Sequence, residues 1–176
     1  TLENATLPSV DLSGISTLTE VAITNVDASK VVGLEGSIAS LQKCVMDGGN
    51  LESFDATAFT SLTQLSLQNN RLLSLDLAGR TIADVKLSGQ TATIDGKVLE
   101  GQVVIPVPSS LKTAQVSDMK VDGADMACAS VEDGGQLYLV ISSDPSAASE
   151  LEGKIVIYSY ETGNTPVAKL GVAITI

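Results

Sequence analysis

The sequence predicts a mostly β chain: a short solenoid of stacked repeats over residues 1–96, followed by a small β-sandwich over residues 97–176. Three observations predict it. Leucines and their substitutes recur every 20 to 23 residues through the first half. The second half alternates apolar and polar residues in short runs separated by turn residues. Hydrophobic residues make up 44% of the chain but aromatic residues only 3%, with no Trp. That is enough apolar surface to fold, and the core must be built from Leu, Val, Ile and Ala.

The repeat is clearest in "LTQLSLQNNRLLSLDLAGR", Leu62 to Arg80. An offset of 21 lays Leu41, Cys44, Met46, Leu51 and Phe54 under Leu62, Leu65, Leu67, Leu72 and Leu75, and Asp55 under Asp76. A further 23 back come Leu18, Val21, Ile23, Ala28 and Val31, and 20 forward come Ile82, Val85 and Leu87. Ahead of these, Leu7, Val10 and Leu12 match only the second half of a unit. Self-similarity at such a period marks a stacked array. Within a unit, "TQLSLQ" alternates as a strand does. One such turn cannot bury its leucines alone, whereas stacked turns share a core. Leu65, Leu67, Cys44 and Met46 are therefore expected inside. The alternation turns Glu20, Ala22, Thr24, Lys43, Val45, Asp47, Gln64, Ser66, Gln68, Asp84, Lys86 and Ser88 outward on one strand face.

Leu62, Leu65, Leu67, Asn70 and Leu72 match the pattern LxxLxLxxNxL position for position, and the first half resembles the leucine-rich repeat family over roughly residues 7–96. Gly49 and Val26 stand where Asn is expected in the other units. The "LxxLDL" half of the unit is similar to short-period repeats of bacterial surface proteins. The resemblance implies that the concave strand face binds partners. On this chain that makes Lys43, Asp47, Gln64, Ser66, Gln68, Asp84 and Lys86 the candidate ligand-binding residues, for a protein, peptide or glycan. The face has no Trp, Tyr or Arg, the usual hot-spot residues, so modest affinity is expected. The competing reading is a solvated sheet face with no ligand.

In the second half the alternating runs are "QVVIPVP", "AQVSDMKV", "MACASV", "QLYLVIS", "KIVIYSY" and "AKLGVAITI". The turns are "DGAD", "EDGG", "SDPSAAS" and "ETGNTP". Five to seven strands and no helix are expected, as in a β-sandwich. Without a Cys–Trp–Cys pattern, "Ig-like" describes the architecture alone. Repeats followed by a small sandwich are similar in order to internalin-like surface proteins, which implies a secreted or cell-surface bacterial protein with an adhesive role. The boundary is expected near residues 95–101. A solenoid end needs a cap, and the β-domain packed on the Ile82–Leu87 turn would supply it, with little hinge motion.

The net charge is -11. It divides as five basic against 11 acidic residues in 1–96 and five against 10 in 97–176. Repulsion discounts nucleic acid and anionic membrane surfaces as partners. With no His in the chain, Ser-His-Asp and Cys-His catalysis and His-ligated zinc are excluded. No apolar run approaches the roughly 20 residues that span a bilayer, so no membrane insertion is expected of this segment. Thr1 and the lack of a visible signal peptide suggest a trimmed or mature fragment. The sequon "NAT" at Asn4 would matter only in a eukaryotic secretory pathway.

Few residues offer catalytic chemistry. Asp55 and Asp76 fall at equivalent repeat positions, where stacking could bring them near and raise one pKa as in an acid dyad. Short polar residues that shape turns are the alternative. Asp122, Asp125, Glu132 and Asp133 could hold Ca²⁺ at one end of a sandwich, or simply serve Asp-Gly hairpins. No GxSxG, SxxK, GxGxxG or GxxxxGK[ST] pattern occurs, "GLEGS" and "DGGN" included. Cys44 replaces a core leucine and Cys128 lies in the other half, so two free thiols are expected. The expectation is a non-catalytic binding or adhesion module, with no cofactor and no metal. A structural spacer of a longer surface protein is the second reading, and a carboxylate-only hydrolase the third.

Overall fold

Five short strands stack side by side and parallel at the start of the chain: β1 (Leu2–Glu3), β3 (Glu20–Thr24), β5 (Lys43–Asp47), β6 (Gln64–Ser66) and β7 (Asp84–Lys86). A second, two-stranded parallel pair, β2 (Val10–Asp11) with β4 (Val31–Val32), forms from the other half of the early turns. This is the solenoid-like region of a mostly β chain. The computed structural model describes residues 1–4, 9–15, 17–33, 39–57 and 59–176. Leu7, the Ala and Thr of the sequon and most of "GLEGS" lie outside the described residues.

The register agrees with the leucine alignment. Val21 pairs with Cys44, Cys44 with Leu65 and Leu65 with Val85, and Ile23 pairs with Met46. Cys44 and Leu67 are fully buried, Leu65 is 1% exposed and Met46 5%. The first strand was not legible in the leucine spacing: β1 pairs Leu2 with Ile23 and adds a fifth strand where four were expected.

Two devices shape the turns. The first is a left-handed residue just after the strand. Asn4, Asn25, Gly48, Asn69 and Gly89 recur at that place with φ between 50° and 78°. Asn and Gly are the residues that tolerate this region. The fit is close: a Cβ on Gly48 would sit 2.3 Å from the side-chain oxygen of Asn25. The second device is a buried amide. Asn70 is 2% exposed. Its Nδ2 donates to the carbonyls of Met46 and Leu67, and its Oδ1 accepts from the N–H groups of Gly49 and Leu51. One side chain thus ties two turns together. Gln90 does the same for the next turn, donating from Nε2 to Leu67 and Leu87 and accepting from Leu72 N–H.

The later strands are β8 (Gln90–Thr93), β9 (Lys97–Leu99), β10 (Gln102–Val107), β11 (Val116–Val121), β12 (Ala124–Asp125), β13 (Ser130–Asp133), β14 (Gln136–Ser142), β15 (Ile155–Glu161) and β16 (Lys169–Thr175). They form a four-stranded sheet ordered β13-β14-β10-β9 and a five-stranded sheet ordered β12-β11-β15-β16-β8. Five of the six alternating runs carry these strands. In "MACASV" only the end does, because Cys128 lies in the connection before β13. Tight turns with both central residues left-handed join the hairpins: Glu100–Gly101, Asp122–Gly123 and Gly134–Gly135. These are the positions where Gly, Asn and Asp are favoured. Three short 3-10 segments occur among the described residues, at 28–30, 113–115 and 145–150.

One apolar core runs through the molecule. It joins the repeat leucines to Val103, Ile105 and Leu139 of the smaller sheet and to Val156, Tyr160, Leu170 and Ile174 of the larger. A separate small cluster of Val104, Tyr138 and Val140 lies on the other face of β10 and β14. Hydrogen bonds also cross between the halves. Asn164 donates from Nδ2 to the Ile82 carbonyl and accepts at Oδ1 from Ile82 N–H, each at 3.0 Å. Thr162 C=O accepts from Leu77 N–H, and Thr165 N–H donates to Arg80. Tyr158 OH donates to the Leu73 carbonyl at 2.7 Å. Strand β8, which follows the last repeat, pairs in parallel with β16 near the end of the chain.

Candidate functional site

The outward strand face is a grid set by the register. Its first row is Glu20, Lys43, Gln64 and Asp84, and its second is Ala22, Val45, Ser66 and Lys86. Thr24 and Asp47 are register partners in a third row, which Gln68 and Ser88 extend just beyond β6 and β7. The seven candidate residues therefore lie together on one face. A shallow depression of about 260 Å³ is lined by Lys43, Val45, Gln64, Ser66, Asp84 and Lys86 among others.

Their accessibility differs. Gln64, Asp84 and Lys86 are exposed, while Lys43, Asp47 and Gln68 are half-buried. Ser66 is buried at 7% exposure, although it sits on the outer face. Its neighbours cover it: Ser66 Oγ donates to Asp47 at 2.8 Å, and Asp47 Oδ1 also accepts from Gln68 N–H at 2.8 Å. Gln68 Nε2 donates to Ser88 Oγ at 2.6 Å. Asp84 and Lys86 form a loose ion pair at 3.7 Å. Half of the face is thus satisfied internally, and Gln64, Lys43 and the Asp84–Lys86 pair are what an incoming molecule would meet.

The other candidate carboxylates serve turns. Asp55 Oδ1 accepts from Thr57 N–H and Thr57 Oγ1, and Asp76 Oδ1 accepts from Ala78 N–H while Lys112 Nζ lies 3.0 Å from its Oδ2. The Thr57 bonds hold the Asp55 carboxyl below the usual carboxylate range. The Ala78 bond and the Lys112 ammonium do the same for Asp76. An acid dyad needs one of the two pushed up, so the shifts run against that geometry. Asp11 repeats the motif with Ser13.

Asp122 occupies a hairpin turn, Asp125 pairs with Lys120 at 2.8 Å and Asp133 with Lys97 at 3.7 Å. Among the described residues no three His, Cys, Asp or Glu side chains group as metal ligands would. Cys44 and Cys128 are both free thiols. Burial, aided by the Asp47 charge, pushes the Cys44 thiol up to about 12. Among the described residues no helix is long and apolar enough to cross a membrane.

A second depression, around Arg71, was not anticipated from the sequence. Its residues come from the repeats and from β8, β10 and β16, so no local motif could mark it.

Comparison with protein-family models, with curated proteins and with solved structures returned no match.

Proposed function

We propose that this chain is a non-catalytic binding or adhesion module of a secreted or cell-surface bacterial protein, its solenoid a degenerate leucine-rich repeat and its second half an Ig-like β-sandwich. The ligand, a protein segment, peptide or glycan, lies along the strand face and touches Lys43, Asp47, Gln64, Gln68, Asp84 and Lys86. The observation that carries this is the grid itself: charged and amide side chains in register on one parallel sheet, held by buried Asn70 and Gln90 beneath. A rigid support lowers the ordering cost of binding. The buried amides of Asn70 and Gln90 support the repeat reading, and the core shared by the two later sheets supports the sandwich reading.

The strip is narrow. Neighbouring strands lie about 4.7–4.9 Å apart, so it fits an extended chain better than a broad globular face. With no aromatic anchor, affinity is expected on the order of micromolar, and it should weaken with salt. Glycan and peptide arrays would find the ligand, and Gln64→Arg with Gln68→Arg should then abolish binding. Binding that survives both changes would move the site, first to the turns around Asp122 and Glu132.

One observation favours the spacer reading instead. Asp47, Ser66, Gln68 and Ser88 already satisfy one another, as side chains on an idle face do. Arrays that return no ligand at any salt concentration would put that reading first.

A further inference from the structure

Arg71 lies in a cleft that shares no residue with the strand-face strip. The cleft measures about 260 Å³, and its apolar wall is Leu73, Ala92, Ile94, Pro106 and Pro108. Arg71 also borders an adjoining polar depression with Thr91, Thr93 and Thr175. Its backbone is held in place, because Arg71 N–H donates to Leu51 and the preceding residue is the buried Asn70.

Three features point to an anion. The guanidinium has one ion pair among the described residues, to Glu52 at 3.9 Å, with both side chains more than half exposed. Such a pair is weak, and the guanidinium brings five donors to the cleft. Next, a backbone N–H points the same way. Thr91 N–H turns away from β16 to reach Asn70 C=O, whereas Ile94 N–H donates to Thr175 on β16. Alternate residues of a strand point their backbone groups to opposite sides, so Thr93 N–H follows Thr91 toward the Arg71 side. Outside the β8–β16 ladder, no protein acceptor meets it among the described residues. Finally, Thr93 and Thr175 are register partners, so their hydroxyls hang on a fixed pair of strands.

The wall and the total charge choose among anions. A chain of net charge -11 repels a dianion more than a monoanion, and one Arg suits a single planar carboxylate in bidentate fashion. The prolines and aliphatic side chains suit a short apolar body. The cleft is smaller than ordinary ligand pockets of roughly 300–1,000 Å³. We propose that the Arg71 cleft binds a carboxylate carrying a short apolar chain, with Glu52 as the resident competitor. A peptide C-terminus and a free short-chain acid share this chemistry.

The test is an amide-resolved NMR titration of the full chain with butyrate, acetyl-Ala-Val acid and acetyl-Ala-Val amide. Both acids should shift the Thr93 amide saturably at millimolar concentrations, and the peptide amide should not. Arg71→Gln should weaken binding about tenfold or more. Glu52→Gln should tighten it several-fold, and this variant decides the matter if Arg71→Gln fails to fold. Equal affinity for butyrate and peptide acid would assign the site to free acids, and a tighter peptide to chain ends. Equal binding of acid and amide, no gain in Glu52→Gln, shifts remote from Thr93, or no saturable shift would each overturn the proposal.

Discussion

Asn70 shows how much one side chain can hold. Five backbone groups from two turns bond to it. Asn70→Ala strands Met46 C=O and the Gly49 and Leu51 N–H groups, while the Leu67 carbonyl keeps Gln90 Nε2, and each unsatisfied buried group costs about 1–3 kcal/mol. A loss of more than about 3 kcal/mol is expected from denaturant unfolding, exceeding that of Gln68→Ala on the surface. Leu67→Ala, at a fully buried position, should cost about 2–5 kcal/mol by the usual cavity argument. A thiol reagent supplies a third check at this scale. Cys44 is buried with its thiol pushed up to about 12, whereas Cys128 is only half-buried. Native protein should label at Cys128 first and at Cys44 only on unfolding, and reductant should leave the melting temperature unchanged.

Three corners of the solenoid are closed by an acid. Asp11, Asp55 and Asp76 cap the N–H two residues on, and their hydrogen bonds hold all three carboxyls below the ordinary range. A carboxyl whose pKa is depressed by folding stabilises the fold above its unfolded pKa and loses that contribution as pH falls through the folded value. Stability should therefore be flat near neutral pH and fall only once pH drops below about 4, the unfolded Asp value. Asp76→Asn keeps the acceptor for Ala78 but loses the ion pair with Lys112. Because that pair is roughly half exposed, the variant should lose less than about 1 kcal/mol at neutral pH and show a shallower acid limb. An acid limb unchanged in Asp76→Asn would mean that other carboxylates set it.

At the scale of the whole molecule, the halves are joined by a continuous core and by hydrogen bonds from Asn164, Thr162 and Tyr158 to the last two turns. All three tyrosines lie in the second half, and Cys44 in the first. Tyrosine fluorescence and Cys44 labelling should report coincident unfolding midpoints, as a single cooperative unit requires. Asn164→Ala leaves Ile82 N–H and C=O without partners and should lower both midpoints together, at a cost of about 2–6 kcal/mol from 1–3 per group. Separate midpoints in the native sequence would show that the two halves melt independently.

Features that depend on local period are legible in the residues alone. Alternation in "TQLSLQ" and spacing of the leucines placed Leu65, Leu67, Cys44 and Met46 inside and set the outward face, because a strand presents alternate residues to opposite sides. Asp-Gly and Gly-Gly pairs marked hairpins for the same local reason. Features that depend on residues far apart emerge only when the chain folds. Leu2 carries too little pattern to reveal β1 until Ile23 lies beside it. Gln90 reads as a surface amide until the turns before it supply buried partners. Ser66 reads as exposed until Asp47 and Gln68 close over it. Asn164 meets Ile82 across 82 residues of chain, and the Arg71 cleft draws on four separate segments. Such contacts follow from how layers stack, and a one-dimensional period holds no record of that.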